Sequence, residues 1–282
     1  MTYREEFGKP PPAGCLRADP VHLRADTRGL ILFDASTFAL QADEAQALVQ
    51  TLDTHLAGDG WRLVCKQPQR WYLLGQRTQH LVTSPLPTAR ATPVSASPCS
   101  GEDAATWMRR SNEIQMLMHQ HPVNRKRAEN GQPAVNSVWL WGGSERPPLH
   151  QPPQIQLAAD NLFARGIARE SGIPLQDLPK HAFDLLDTTG NDSHLLVVLE
   201  ACRDAAAYEE LAGWEHALAE LERDWFAPLV RALKQRRVDV LQLYPLNGRC
   251  YRLTRRHLLA IWKGSGDYRR QAGFRQASAN RV

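Results

Sequence analysis

The chain is poor in cysteine, and its few cysteines form no pattern. Cys15, Cys65, Cys99, Cys202 and Cys250 are scattered over 282 positions, with no CxxC pair. That spacing argues against a zinc knuckle or a disulfide framework, both of which draw on closely spaced cysteines. Long apolar runs are missing too: none approaches the roughly 18 residues that would span a bilayer, so no membrane partner is expected. The opening MTYREEFGKPPPAG lacks the apolar centre of a secretory signal, and a reduced, cytoplasmic protein is the expectation. Three catalytic signatures are absent. There is no GxSxG elbow, no GxxxxGK followed by Ser or Thr, and no GxGxxG dinucleotide turn.

Charge imbalance is also slight, at +4 from 34 basic and 30 acidic residues. The C-terminal stretch YRRQAGFRQASANRV concentrates four arginines without an acid. It has no apolar pattern and reads as a frayed, solvated end, so nucleic acid is not the expected partner. What is present is an ordinary globular composition, 43% hydrophobic and 23% charged, with length for one large or two modest domains.

The first 20 residues, rich in Pro and Gly, read as irregular. GLILFD (29–34) reads as a strand. From Asp43, Ala45, Leu48, Val49, Leu52 and Leu56 fall at helical spacing. GWRLVCKQ and RWYLLGQR form an expected hairpin around Pro68-Gln69. Residues 83–101, rich in Pro, Ser and Thr, read as a loop. EDAATWMRRSNEIQMLMHQ puts Ala105, Met108, Ile114, Leu117 and Met118 near one helical face. SVWLWG reads as a strand, as does IQLAAD, and NLFARGIARES as a helix ended by Gly172. SHLLVVLEA is continuous enough for a strand buried on both faces. A long helix from about residue 205 to 234 is kinked or split at Pro228. VDVLQLYPLNGRCYRL reads as strand, turn, strand, and RRHLLAIWK as a last helix. This alternation favours an α/β sheet.

Metal-ligand patterns are thin. His119 and His121 form an HxH pair, but residues two apart diverge on a helix and no third ligand lies near. Asp184 and Asp187 fit a helix end. Asp204, Glu209 and Glu210 follow an apolar strand, where open α/β sheets place ligands, but they also suit the first turns of a helix. No metal and no cofactor are expected. The stretch HPVNRKRAENGQPAVNSVWLWGG (121–143) is the most unusual in the chain. If helical, Asn124 and Arg127 share a face, and an arginine there can grip a carboxylate or phosphate bidentately or brace a turn. Trp139 and Trp141 alternate with Leu140 and so share one side of their strand.

This stretch resembles the segment of archaeal-type cofactor-independent phosphoglycerate mutases that runs HPVN, two residues, Arg, three residues, Gly, then AN and a WLWG strand. LRADPVHLRADTRGL, the helix from Asp43, RWYL and NEIQMLMHQHPVN are more similar still to bacterial RpfE-type regulatory proteins, apparent distant relatives of those mutases. The resemblance spans roughly residues 16 to 265 and is strongest over 107 to 143. It implies an α/β fold: the remnant of an alkaline phosphatase-like sheet core, residues 1–35 and 136–282, carrying an α+β cap-like insertion at 36–135. The mutases use two metal ions and a phosphoryl-carrying serine, and the resemblance implies that this chain starts after the part supplying the serine. Their later ligands have no counterparts. VVLEACRDAAAYEELAGW has no histidine, Tyr244 and Pro245 stand where an Asp-His pair is expected, the final histidine has no clear match in GRCYRLTRRH, and Ser144 replaces a turn glycine.

The resemblance therefore implies the scaffold without the reaction: a regulatory or binding protein, with a protein partner or a small phosphorylated or carboxylate ligand. His121, Asn124, Arg127 and Asn136 are the candidate anion-binding residues, with Trp139 and Trp141 as packing. The alternatives are a working mutase or phosphatase, which would bind manganese or zinc and turn over 3-phosphoglycerate, and a nucleic-acid-binding regulator acting through the tail at 268–282.

Overall fold

A computed structural model of the chain describes residues 1–27, 29–75, 81–90, 93–94, 99–143, 154–188 and 194–259. Helix α1 (Thr2–Phe7) ends at Gly8, whose φ of 69° suits a residue without a Cβ. Strands β1 (Leu16–Asp26) and β2 (Gly29–Asp34) follow. The opening 20 residues are thus more ordered than their Pro and Gly content suggests, because tertiary contacts rather than local propensity hold α1 and the start of β1. Helix α2 (Ala42–Ala57) starts in a reciprocal capping box between Gln41 and Glu44. It buries Ala45, Leu48, Val49, Leu52 and Leu56, the stripe expected from spacing. Burying each of the larger of these is worth roughly 1.5–3 kcal/mol.

The hairpin forms as β3 (Arg62–Gln67) and β4 (Arg70–Leu74). The Pro-, Ser- and Thr-rich segment is not simply a loop: it holds short strand β5 (Val82–Thr83), a turn of helix α3 (Leu86–Ala89), and strands β6 (Pro93–Val94) and β7 (Cys99–Ser100). In α4 (Ala104–Gln120) the buried residues are Trp107, Ile114 and Met118, whereas Ala105 is exposed. Ile114, Met118 and partly buried Leu117 lie inward as expected, while Trp107 joins them in place of Ala105, docking edge-on against Trp61 with centroids 5.1 Å apart. Next come α5 (Pro122–Glu129), β8 (Ser137–Trp141), β9 (Ile155–Ala159), α6 (Leu162–Ser171) and β10 (Leu175–Gln176).

The rest comprises α7 (Ala182–Thr188), β11 (His194–Val198), α8 (Arg203–Ala207), α9 (Leu211–Leu221), α10 (Ala227–Lys234), β12 (Val240–Leu243), β13 (Tyr251–Thr254) and α11 (Arg255–Leu259). The long helix is therefore divided. A π-helical turn, Glu222–Phe226, precedes α10 and absorbs Pro228, which lacks the N–H to continue a regular ladder. Strand β11 is not buried on both faces: Leu196 is 44% exposed, and among the described residues β11 pairs only with β9.

The architecture is mixed α/β. The main sheet runs β3-β4-β1-β2-β6, with β8 also on β1. Arg17 has lateral partners Tyr72 and Trp141, and Val21 has Asp34 and Ser137. Strands β4 and β2 therefore succeed one another along one edge of β1, with β8 along the other. A second sheet, β10-β9-β11, is parallel. Two compact units result: residues 1–178 with 192–217, and residues 179–191 with 218–282. Strands β3, β4 and β6, from the segment 36–135 expected as a cap-like insertion, share one sheet with β1, β2 and β8. In the second unit, Ala182 and Leu185 of α7 and Ala232 and Leu233 of α10 are buried. Among the described residues, no helix is long and apolar enough to cross a membrane.

Candidate functional site

The motif at 121–143 is built on a bend. His121 ends α4 with extended backbone, and Pro122 opens α5 at a position that needs no N–H. The His121 ring caps the new helix: Nδ1 accepts from the Val123 N–H at 3.2 Å, and Nε2 lies 3.1 Å from the Thr51 hydroxyl. Burial, with Arg125 nearby, lowers the His121 pKa below its ordinary value. The Val123 N–H donation requires Nδ1 to be the unprotonated ring nitrogen.

Asn124 and Arg127 share the buried face of α5, while Arg125 and Lys126 are exposed. The Asn124 amide donates to the Met118 and Val135 carbonyls at 2.7 and 2.8 Å, and its oxygen accepts from the Val135 N–H at 2.9 Å. Arg127, 1% exposed, donates to the Pro133 carbonyl at 2.9 Å, to the Ala39 carbonyl at 3.0 Å and to Glu44 at 2.7 Å. Glu44 is the same carboxylate that caps α2 through the Gln41 N–H. Asn136 imitates a strand rung: its side chain accepts from Leu23 N–H at 2.7 Å and donates to Leu23 carbonyl at 2.8 Å. The four candidate residues thus bond to different internal partners and do not converge on one shared group.

The two tryptophans pack in the same apolar cluster, with Val21, Leu32, Leu86 and Ala89. Trp139 donates to the Ser84 carbonyl at 2.9 Å, and Trp141 donates to Asp19 at 2.7 Å. Asp19 is 1% exposed and lies where β1 changes partner from β4 to β2. Burial pushes its carboxyl above the usual range, against the opposing effects of Arg17, Trp141 and the Trp71 backbone. Arg17 also lies over the Trp141 and Tyr72 rings, at 5.1 and 5.2 Å.

A second cluster was only partly visible in the sequence. The parallel strands β9 and β11 end at Asp160-Asn161 and at Glu200, the edge where such sheets present their ligands. There Asn161 donates to Glu200 at 2.8 Å, and Arg203 pairs with both Glu200 and Asp204. Arg90 bridges Asp204, at 2.5 Å, and Asp34 at the end of β2. Ser36 donates to Asp34 at 2.6 Å, and the Asp34 N–H donates to the Tyr208 hydroxyl at 3.0 Å. Burial pushes the Asp204 carboxyl up, but Arg203 and Arg90 together outweigh it and hold the group below its ordinary value. Burial also raises the Tyr208 phenol to about 12. Asp204 lay on a recognisable position after an apolar strand. Arg90, in a Pro-rich segment 114 residues away, carried no local signal. Glu209 and Glu210 are exposed.

This arrangement does not suit a divalent metal pair. Asp34, Glu200 and Asp204 each already meet a guanidinium, and among the described residues no three His, Cys, Asp or Glu side chains are grouped to hold a metal ion. His119 is exposed at the end of α4, Asp187 pairs with Arg237, and Ser144 and the tail at 268–282 lie outside the described residues.

The class defined so far is a mixed α/β protein whose strand-edge carboxylates are neutralised by arginine. No protein-family model matches the chain. It is 27% identical over 137 residues to the 2,3-bisphosphoglycerate-independent phosphoglycerate mutase of Methanosarcina mazei, covering 47% of this chain and 34% of that protein. It is 38% identical over 47 residues, 17% of this chain, to 12% of the probable mutase of the same name from Geobacter sulfurreducens. The similarity is therefore weak, and it spans about a third or less of each relative. Among solved structures, the cofactor-independent phosphoglycerate mutase of Thermoplasma acidophilum aligns with a TM-score of 0.39 at 14% identity, covering 79% of this chain and 66% of that one. A protein from Pyrococcus horikoshii aligns with a TM-score of 0.43 at 16% identity, covering 84% and 59%.

Proposed function

We propose that the chain is a regulatory or binding protein of the RpfE type, built on a degenerate phosphoglycerate mutase-like scaffold and without mutase turnover. One observation carries the reading: Arg90 and Arg203 neutralise Asp34, Glu200 and Asp204 at the strand edge. A phosphoryl-transfer site needs cations there that bind the substrate and stabilise developing charge. Guanidinium groups locked onto carboxylates have spent much of that capacity. His121, Asn124, Arg127 and Asn136 then serve as braces that fix α5 and the segment before β8 to α2 and β1, in keeping with their inward bonds.

The partial similarity to mutases favours a second reading, a metal-dependent phosphoglycerate mutase or phosphatase. Elemental analysis of the purified full chain, after dialysis against manganese or zinc, separates the two. Substoichiometric metal supports the first reading. Metal at one or two equivalents, displacing the arginines from their carboxylates, would support the second.

A further inference from the structure

Between Arg231 and His257 the chain carries seven arginines and one lysine against a single acid, Asp239. The fold gathers these charges. Val240 opposes Thr254 across the β12–β13 hairpin, so the turn after α10, with Arg236 and Arg237, lies at the same end as Arg255 and Arg256 of α11. Lys234 closes α10 immediately before that turn. Arg252 stands midway along the hairpin opposite Gln242. Helix dipole complementarity explains basic residues in the last turn of α10, and Arg237 has a partner in Asp187. Neither accounts for Arg252 and Arg255, which are exposed, as is Arg256 in the last turn of α11.

The hairpin also exposes aromatic surface. Tyr251 is 40% exposed and pairs across the strands with Leu243, 47% exposed, while Tyr244 follows at 53%. Two-stranded ribbons are marginal on their own, and a well-buried face is the usual compensation. Here the apolar face is covered only in part, since Leu241 and Leu253 are half-buried and their neighbours are not. Two of the three described non-glycine residues with positive φ lie here: Arg236 at 62° before the hairpin and Leu246 at 60° in its connecting loop. Such backbone costs on the order of 1 kcal/mol and tends to be kept where it aims a functional surface.

We infer that the β12–β13 hairpin is a docking surface for single-stranded nucleic acid passing around its edge, with Tyr251 on one face, Arg252 on the other, and Tyr244, Arg255 and Arg256 just beyond the strand ends. The composition selects this occupant. Arginine outnumbers lysine seven to one in the segment. An anionic membrane attracts either cation equally, whereas phosphates gripped bidentately and bases stacked on guanidinium planes favour arginine. Exposed tyrosines offer stacking faces that only unpaired bases can reach. The surface is distinct from the tail at 268–282, and the inference does not rest on the reading of the scaffold above.

The test is fluorescence anisotropy of the full chain with a labelled single-stranded oligonucleotide of about 20 nucleotides, as DNA and as RNA, at several salt concentrations. Binding should weaken steeply with salt. Replacing Arg252, Arg255 and Arg256 together by Glu should weaken it at least about tenfold and flatten the salt slope. Tyr244→Ser with Tyr251→Ser should weaken it about fivefold while leaving the slope unchanged, as expected for lost stacking. The milder triple Arg→Gln variant, checked by circular dichroism, guards against loss of folding and should also flatten the slope. Absence of binding at low salt would overturn the inference. So would binding unaffected by these substitutions but abolished by removing residues 268–282. Equal association with phosphatidylserine vesicles that excess oligonucleotide fails to displace would assign the surface to a membrane and overturn it too.

Discussion

Asn124 closes on Val135 in both directions, accepting from its N–H at 2.9 Å and donating to its carbonyl at 2.8 Å. Val135 is fully buried, and the same amide also satisfies the Met118 carbonyl at the end of α4. One side chain therefore ties a helix terminus to the segment entering β8. Asn124→Ala leaves several buried backbone groups without partners and should destabilise the fold by about 2–4 kcal/mol. Urea unfolding measures this. A loss below about 0.5 kcal/mol, the level of an ordinary surface substitution, would mean the bracket carries no stability.

Buried Arg127 pairs with half-buried Glu44, which also closes the α2 cap. Arg127→Met removes the cation and leaves the Pro133 and Ala39 carbonyls without their donor, while Glu44 keeps the Gln41 N–H, at a cost of about 2–4 kcal/mol. Arg127→Lys should recover little, because one ammonium cannot reproduce the fork to Pro133, Ala39 and Glu44. Thermal melts of both variants, with and without added phosphate, check the assignment. If Arg127 instead serves an anion, the variant keeps its stability and phosphate ceases to shift the melting temperature.

Glu5 supplies a pH-dependent contact. Its carboxylate accepts from Arg169 at 2.6 Å and Arg165 at 3.1 Å, and the Arg169 hydrogen bond is the largest cause holding its pKa below the ordinary value. A depressed carboxylate contributes stability that is fully present above the unfolded pKa and disappears as pH falls through the folded one. The contact between α1 and α6 should therefore weaken below about pH 4.3. Protection factors within Thr2–Phe7, taken against intrinsic exchange rates that themselves fall with pH, should drop on acidification in the wild type, and Glu5→Gln should show low protection already at neutral pH. Wild-type protection that stays constant on acidification would remove Glu5 as the cause.

Parts of this molecule were legible in the sequence, and the reason is local. Helix α2 shows a clean apolar stripe, the β3–β4 hairpin shows two aromatic-rich runs around Pro68-Gln69, and β8 shows alternating tryptophans. Strand β1 was harder. It contains Pro20 and several charges, and its residues are extended because three other strands pair with it. The apolar run of β11 suggested double burial, but the face carrying Leu196 is left open, with that residue 44% exposed. The site was least legible. Three consecutive basic residues differ only in where the helix turns them, and Arg127 alone goes inside. Arg90 acts through carboxylates on distant elements, which no spacing rule reveals.

Asp34, Glu200 and Asp204 at the strand edge are committed to arginine. An enolase-coupled assay of the purified full chain, given 3-phosphoglycerate and manganese or zinc, tests this most directly. No turnover above background is expected with either metal. Metal-dependent turnover that is lost in Arg127→Lys or in Asp204→Asn would contradict it.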